Sequence, residues 1–217
     1  MSKLRFNITM SLDGFVAGPN QSEQDPLGVG GEKLHRWMYP LAAFREPHGE
    51  EGGEVNESTP VVEGWWENVG AFLMGRNMFG GGPGPWGEEP WNGWWGDEPP
   101  FHHPVFVLTH HAREPLELEG TTFHFVTDGI ESALERARDA ARGADVRIGG
   151  GVATVRQYLL AGLVDELHLA MAPALLGGGE ALFAGIDLPA LGFSVVRHAA
   201  TENALHVVLA KAARGST

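Results

Sequence analysis

The chain has 217 residues, with 28 acidic against 15 Lys and Arg side chains and a formal net charge of −13. So acidic a chain excludes an electrostatic binder of nucleic acid or membrane surface, because phosphate binding draws on clustered cations. A composition 43% hydrophobic and 20% charged is that of a globular chain with a sizeable core, and the absence of cysteine excludes disulfide scaffolds, thiolate metal sites and cysteine nucleophiles.

Leu4 to Leu12, mostly apolar with small polar breaks, reads as a first strand that ends in the Asp13-Gly14 turn. Gly31 to Phe44 carries Leu34, Trp37, Met38 and Leu41 at helical spacing. Residues 45–60, rich in acidic side chains and glycine, read as an exposed insertion. A short helix over Val61 to Val69 leads into a buried strand, Ala71 to Met74, that stops at Gly75-Arg76. Residues 80–103 form a loop in which Trp86, Trp91, Trp94 and Trp95 stand among glycines and prolines that forbid regular structure. Further strands are expected at Val105 to Thr109 and Thr122 to Val126, then a helix from Asp128, as its cap, through Arg142. A strand at Asp145 to Ile148 runs into Gly149-Gly150-Gly151 and a helix from Val152 to Leu163. The chain closes with a strand over Val164 to Ala172 and an alternating pair, Phe193 to Ala199 and Ala204 to Ala210. Strands alternating with helices predict one α/β domain over residues 1–217, built on a mostly parallel sheet with an antiparallel C-terminal edge hairpin.

Glycine is the compositional outlier at 31 residues, roughly twice its ~7% share. Its placement at two strand-to-helix junctions, Gly75-Arg76 and Gly149-Gly150-Gly151-Val152-Ala153, matters most. There a ligand can approach the backbone, helix N–H groups favour a phosphate, and Arg76 offers a bidentate donor. Ligands of open α/β sheets sit beyond the carboxyl ends of the strands, where both junctions and Thr109-His110 fall. A nucleotide with several phosphates suits all three features; glycines that merely make tight turns are the plainer alternative. Asp13 is the leading catalytic candidate, as substrate anchor or proton donor, beside the plain reading of an Asp-Gly turn. His35 and Trp37 are candidates for the substrate side, Trp37 with core packing as its plainer reading, and the four indoles of the loop can serve as lid, dimer contact or plain packing. The pairs His102-His103 and His110-His111 lack metal-ligand spacing, so no metal is expected. No signal-like or ~20-residue apolar stretch occurs, which leads us to expect a soluble cytoplasmic protein.

The segments Thr9-Met10-Ser11-Leu12-Asp13-Gly14, Leu73-Met74-Gly75-Arg76, Val107-Leu108-Thr109, Ile148-Gly149-Gly150-Gly151 and Val164 to Gly179 stand in the order found in the dihydrofolate-reductase-like superfamily. More closely, the chain resembles stand-alone relatives of the reductase domain of the riboflavin-biosynthesis deaminase-reductase. The resemblance implies a three-layer fold, an NADPH cofactor, hydride transfer to a small-molecule substrate and a homodimer. It assigns Gly149 and Gly150, joined by a cis peptide, to the pyrophosphate, and the helix start at Gly151, Val152 and Ala153 to the phosphates. Gly75, Arg76 and Asn77 fall on the 2′-phosphate segment, Thr109 and His110 on the adenosine end, Val16 and Ala17 beside the nicotinamide. It sets Asp13 near the nicotinamide and substrate and the loop of Trp86 at the pocket mouth. The carboxylate that holds a pteridine has no counterpart, Lys33 and Leu34 being the nearest residues, and Met78 and Ala170 replace hydroxyl residues, which points away from dihydrofolate itself. A non-catalytic nucleotide- or flavin-binding module is the alternative.

Overall fold

In a computed structural model that describes residues 2–82, 84–88 and 91–212, the apolar runs assemble into one nine-stranded sheet. Its strands in chain order are β1 (Leu4–Ser11), β2 (Val69–Gly75), β3 (Val105–Leu108), β4 (Leu116–Leu118), β5 (Thr121–Val126), β6 (Asp145–Gly150), β7 (Glu166–Ala172), β8 (Phe193–Ala200) and β9 (Leu205–Lys211). Across the sheet they run β4-β5-β3-β2-β6-β1-β7-β9-β8. The six central strands β5, β3, β2, β6, β1 and β7 are parallel, while β4 closes one edge and the β8/β9 hairpin the other in antiparallel fashion. The expected antiparallel C-terminal edge is present; β4, three residues long, is an element the sequence pattern does not reveal.

One face of the sheet is covered by α4 (Ile130–Ala141) and α5 (Val152–Leu160), which bury Ala133, Leu134, Ala137, Val155 and Leu159 against Leu4, Phe6, Leu73, Val146, Ile148 and Leu167. Each Leu, Ile, Val or Phe side chain among them contributes roughly 1.5–3 kcal/mol when fully buried. Tyr158 reaches through this layer, its hydroxyl donating to the Ile130 carbonyl at 2.8 Å. The opposite face carries two clusters. One, around Leu34, Trp37, Leu41, Val62 and Trp65, lies over β7 and includes α1 (Ala42–Arg45) and α2 (Thr59–Glu63). The other joins Phe72, Met74, Phe79, Phe101 and Phe123 under the tryptophan loop, with α3 (Arg76–Phe79).

Several expectations need correction. Gly31 to Phe44 is not a continuous helix: a 3-10 turn covers Gly31–Leu34, and Leu41, behind Pro40, is extended with ψ 133° before α1 begins. Proline removes a donor and disfavours helix in the residue before it, which breaks the segment. The helix expected over Val61 to Val69 is shorter, Thr59–Glu63, because Val69 already pairs with Asp145. Asp128 does not cap α4; the N-cap position is Gly129, and the Asp128 carboxylate accepts from Ser132 Oγ at 2.8 Å and Arg136 at 2.6 Å. Gly149 and Gly150 complete β6, and the peptide between them is trans, not cis. α5 ends at Leu160, and β7 begins at Glu166.

Candidate functional site

Because β1, β2, β3 and β6 are parallel, their carboxyl ends lie along one edge, and the chain delivers Asp13, Gly75-Arg76, Thr109-His110 and Gly149-Gly151 there. The two glycine junctions touch. A Cβ on Gly75 would strike the Thr154 hydroxyl, and one on Gly150 would lie 3.1 Å from Met78 Sδ. Gly75→Ala is accordingly expected to lower stability by about 1–3 kcal/mol, the usual cost of overpacking. Adding Thr154→Ala removes the obstructing oxygen; denaturant unfolding of the single and double variants should show most of the loss recovered in the double.

The Asp13 carboxylate accepts hydrogen bonds from Ser11 Oγ at 2.6 Å, Gly177 N at 2.7 Å and Leu176 N at 3.2 Å. The Ser11 bond first, then those two N–H groups, hold its pKa below the usual carboxylate range. The exposed side chain is therefore an ionised acceptor at neutral pH and clamps the 176–177 loop to the end of β1. That loop also meets Val16 and Ala17: Val16 N donates to Glu180 O at 2.9 Å and Glu180 N to Ala17 O at 3.0 Å.

Arg76 turns back on its own junction. Nε donates to Gly80 O at 3.0 Å and Nη2 to Gly81 O at 2.9 Å, the guanidinium lies 3.1 Å from the centroid of the Trp86 ring, and Nη1 is buried without a partner. Asn77 follows it in α3. Trp86 Nε1 donates to His111 O at 2.9 Å, so this indole bridges the β2 and β3 ends beside Thr109, whose hydroxyl accepts from His111 N at 3.2 Å, and the exposed His110. The loop packs on its own chain: Trp91 donates to Phe79 O at 3.0 Å, Trp95 stacks on Phe123, and Arg113 grips Trp91 O at 2.5 Å and Asn92 at 2.8 Å. Pro83, Glu89 and Pro90 of this loop lie outside the described residues.

A groove of about 480 Å³ opens between Val152, Ala153, Arg156 and Gln157 of α5 and the Gly179–Ala181 segment. Arg156 fixes its far wall by donating to Leu182 O at 2.6 Å and Ala184 O at 2.9 Å. Arg156, Gln157 and Glu180 are groove residues that the glycine motif does not announce. The spacing of Val152, Arg156 and Leu160, four apart on one helix face, is the signal that carries them.

Across β1 the face away from α4 and α5 is polar: Arg5, Asn7, Thr9 and Ser11 alternate with Leu4, Phe6, Ile8 and Met10. Register sets Asn7 beside His168 and Thr9 beside Ala170, and Trp37 Nε1 points at Thr9 Oγ1 at 3.4 Å. Trp37 is core, packing on Trp65 and His206. His35 stacks on Tyr39, and burial pushes its pKa down to about 4. His168 and His206 form a directed chain. The Trp65 indole can only donate, to His168 Nδ1 at 3.1 Å, so His168 Nε2 carries the proton to His206 Nδ1 at 3.1 Å, and His206 Nε2 donates to Ser58 Oγ at 3.0 Å. Ser58 then donates to Thr201 at 3.2 Å, and Thr201 to the Ala204 carbonyl at 2.9 Å. Both imidazoles are thus neutral; burial first, and neighbouring charge at His168, pushes them down to about 3 and about 4.

Among the described residues no group of three or more His, Cys, Asp or Glu side chains could hold a metal ion. No helix among the described residues is long and apolar enough to cross a membrane.

Residues 2–207 match the family model of the RibD C-terminal domain. The chain belongs to that family. A protein of Shewanella sp. PV-4 assigned to riboflavin biosynthesis shares the fold at a TM-score of 0.57 and 19% identity, covering 97% of this chain and 99% of that one. The diaminohydroxyphosphoribosylaminopyrimidine deaminase/5-amino-6-(5-phosphoribosylamino)uracil reductase of Thermotoga maritima gives 0.58 at 14% identity over 97% of this chain. Only 57% of that longer protein is matched. Dihydrofolate reductase of Enterococcus faecalis, complexed with NADP(H), gives 0.50 at 15% identity, covering 96% and 95% of the two chains. The RibD C-terminal relatives and this neighbour define the architecture as dihydrofolate-reductase-like. No curated protein matches the chain.

Proposed function

We propose that this RibD C-terminal domain protein is an NADPH-dependent reductase acting on a small heterocycle or on a carbonyl or imine carbon, as a soluble cytoplasmic homodimer. The observation that carries the reading is the meeting of two glycine junctions at the strand ends beside a buried Arg76 Nη1 that lacks an acceptor. An orphaned guanidinium donor fits a 2′-phosphate, and the start of the nine-residue α5 behind Gly151 fits a pyrophosphate. Gly75, Arg76 and Asn77 hold the 2′-phosphate in this reading, Thr109 and His110 flank the adenosine, and Gly149 to Ala153 take the pyrophosphate. Val16 and Ala17 border the nicotinamide, and Trp86 closes the pocket mouth. Bound NADPH supplies the hydride.

Asp13 works as a carboxylate, anchoring the substrate through a hydrogen bond, because its own partners keep it ionised and leave no proton to donate. In this reading His35 stands on the substrate side, while Trp37 stays in the core and only backs that side through Thr9. Val195 and Val196, 57% and 60% exposed on the edge strand β8, support dimerisation through that edge.

NADPH titration followed by tryptophan fluorescence or calorimetry tests the cofactor assignment. We expect saturation below about 1 mM, the usual ceiling for such ligands, and Arg76→Ala should weaken NADPH by tenfold or more while leaving NADH nearly unchanged. No signal with either nucleotide overturns the reading. A panel of pterins, aminopyrimidines and quinones then tests turnover, with Asp13→Asn expected to lower kcat/KM. Tight binding with no turnover on any of them favours a non-catalytic nucleotide-binding module, a reading supported by Asp13 being engaged with Ser11, Leu176 and Gly177.

A further inference from the structure

We infer that the cavity enclosed between α2 and the amino-terminal ends of β1, β6 and β7 is a binding site for a small monovalent anion, a halide or a carboxylate of formate size. The site lies toward the amino-terminal ends of these strands, away from the glycine junctions at their carboxyl ends, and does not depend on the reductase reading. It measures about 40 Å³ and is lined by Arg5, Asn7, Trp65, Arg147, His168 and Arg197 among others. One water needs roughly 10–15 Å³, so the space holds a small polyatomic ion or a halide with water, and neither a nucleotide nor a heterocycle.

The charge census of its walls is unbalanced. Arg5 Nη1 donates to Gly64 O at 3.1 Å and Nη2 to Glu67 O, while its Nε lies 3.5 Å from the Asp145 carboxylate. That carboxylate also accepts from Lys3 N at 2.8 Å, and Glu166, the one acidic side chain on the rim, is paired with Lys3 Nζ at 2.8 Å. Arg147 sits in register with Arg5, and no carboxylate pairs with it among the described residues. Its Nη1 reaches only the Trp65 carbonyl, at 3.3 Å, and its Nε is buried with no partner. Trp66, Phe72 and Trp65 surround the guanidinium at 4.7, 5.5 and 5.7 Å. Cation–π contact offsets only part of the cost of taking a charge out of water. His168 offers Arg147 no acceptor, since both of its nitrogens are committed to Trp65 and His206. A half-buried guanidinium with a buried, unused donor beside a polar cavity is completed by an anion, and a chain carrying −13 overall must hold it by local contacts.

Thermal unfolding at constant ionic strength and pH 7.5, with chloride, formate or gluconate as the sodium salt, tests the site. Chloride or formate should raise the midpoint in a saturable way, by about 5–10 °C at a hundredfold excess over Kd, and gluconate, too large for the cavity, should not. The anion with the lower half-saturation is the natural occupant. Arg147→Met should abolish the difference between the salts. Should that variant fail to fold, wild-type crystals grown in bromide decide the matter by an anomalous peak between Arg147 and Asn7. Equal midpoints in chloride, formate and gluconate overturn the inference, as does an undiminished response in Arg147→Met or a bromide map without that peak.

Discussion

Acidification from pH 7 to pH 5 is expected to cost this protein on the order of 4 kcal/mol of folding stability, about 2 kcal/mol for each of His168 and His206. Both are neutral in the fold with pKa values pushed down to about 3 and about 4 from the ordinary 6.5. The unfolded chain therefore binds protons below pH 6.5 that the folded chain refuses, so stability rises with pH across that window. Their contribution is whole above 6.5 and is lost as pH falls toward 4 and then 3. His35, pushed down to about 4 by burial, acts in the same direction. The cause is structural: protonating His168 at Nδ1 would set two donors, that nitrogen and Trp65 Nε1, against each other at 3.1 Å. Because the two rings share one hydrogen bond they titrate as a pair, and 4 kcal/mol is their joint upper value. An opposing effect exists, since protonated surface histidines reduce the net charge of −13. Screening over ~8 Å at physiological salt makes that gain the smaller of the two. Urea unfolding at pH 7.5, 6.5, 5.5 and 5.0 measures the slope while most carboxylates are still ionised. A His168→Gln/His206→Gln variant should flatten it, and a wild-type free energy that holds constant between pH 7 and pH 5 would refute the account.

What the sequence discloses and what it hides divides along physical lines. Contiguous apolar runs such as Val105 to Leu108 are visible because a strand buried on both faces needs no partner information to be recognised. The glycine junctions are visible as strand-to-helix turns for a similar reason, since each glycine stands between an apolar run and the start of a helix. Gly31 to Phe44 shows the limit of periodicity, for Leu34, Trp37 and Leu41 do share one cluster, yet a 3-10 turn, Pro40 and an extended Leu41 bring them there. Trp86 reaches Arg76 across the glycine-rich stretch that begins at Gly80 after α3, and no local pattern encodes where such a loop lands. Likewise, single histidines at positions 168 and 206 become a relay only through the β7/β9 register, which aligns Ala170 with His206 and leaves His168 one row away. Arg5 and Arg147, ordinary surface cations by sequence, are inward-facing because they alternate with Leu4, Phe6, Val146 and Ile148, whose side chains claim the other face.

A substitution series across Gly177, Gly178 and Gly179 is expected to separate backbone strain from steric exclusion at the wall of the α5 groove. A Cβ on Gly179 would lie inside van der Waals contact of the Ala17 carbonyl oxygen and 2.8 Å from the Gly18 carbonyl carbon, and its φ is +126°. Both obstacles are backbone and cannot rotate away. Gly179→Ala thus adds strain of about 1–3 kcal/mol at a disfavoured φ to an overpacking cost of about 1–3 kcal/mol. Gly177, at φ +70°, has nothing within 4 Å of a built Cβ, so its alanine variant bears only the first cost, about 1 kcal/mol. Gly178 has neither a positive φ nor a neighbour within that distance, and its alanine variant should be neutral. The order of unfolding midpoints should be Gly178→Ala, Gly177→Ala, then Gly179→Ala well below both. The functional consequence follows from what Gly179 holds together. Moving it separates Glu180 from Val16 and Ala17, at present joined by bonds of 2.9 and 3.0 Å, and disturbs the Phe15–Ala181 bridge, so the groove loses one wall. If the groove is the cofactor site, NADPH affinity should fall roughly tenfold or more in Gly179→Ala at a temperature where the variant remains folded, and stay near the wild-type value in Gly177→Ala and Gly178→Ala. Affinity preserved in a folded Gly179→Ala protein would move the cofactor away from this groove, whatever the order of the unfolding midpoints.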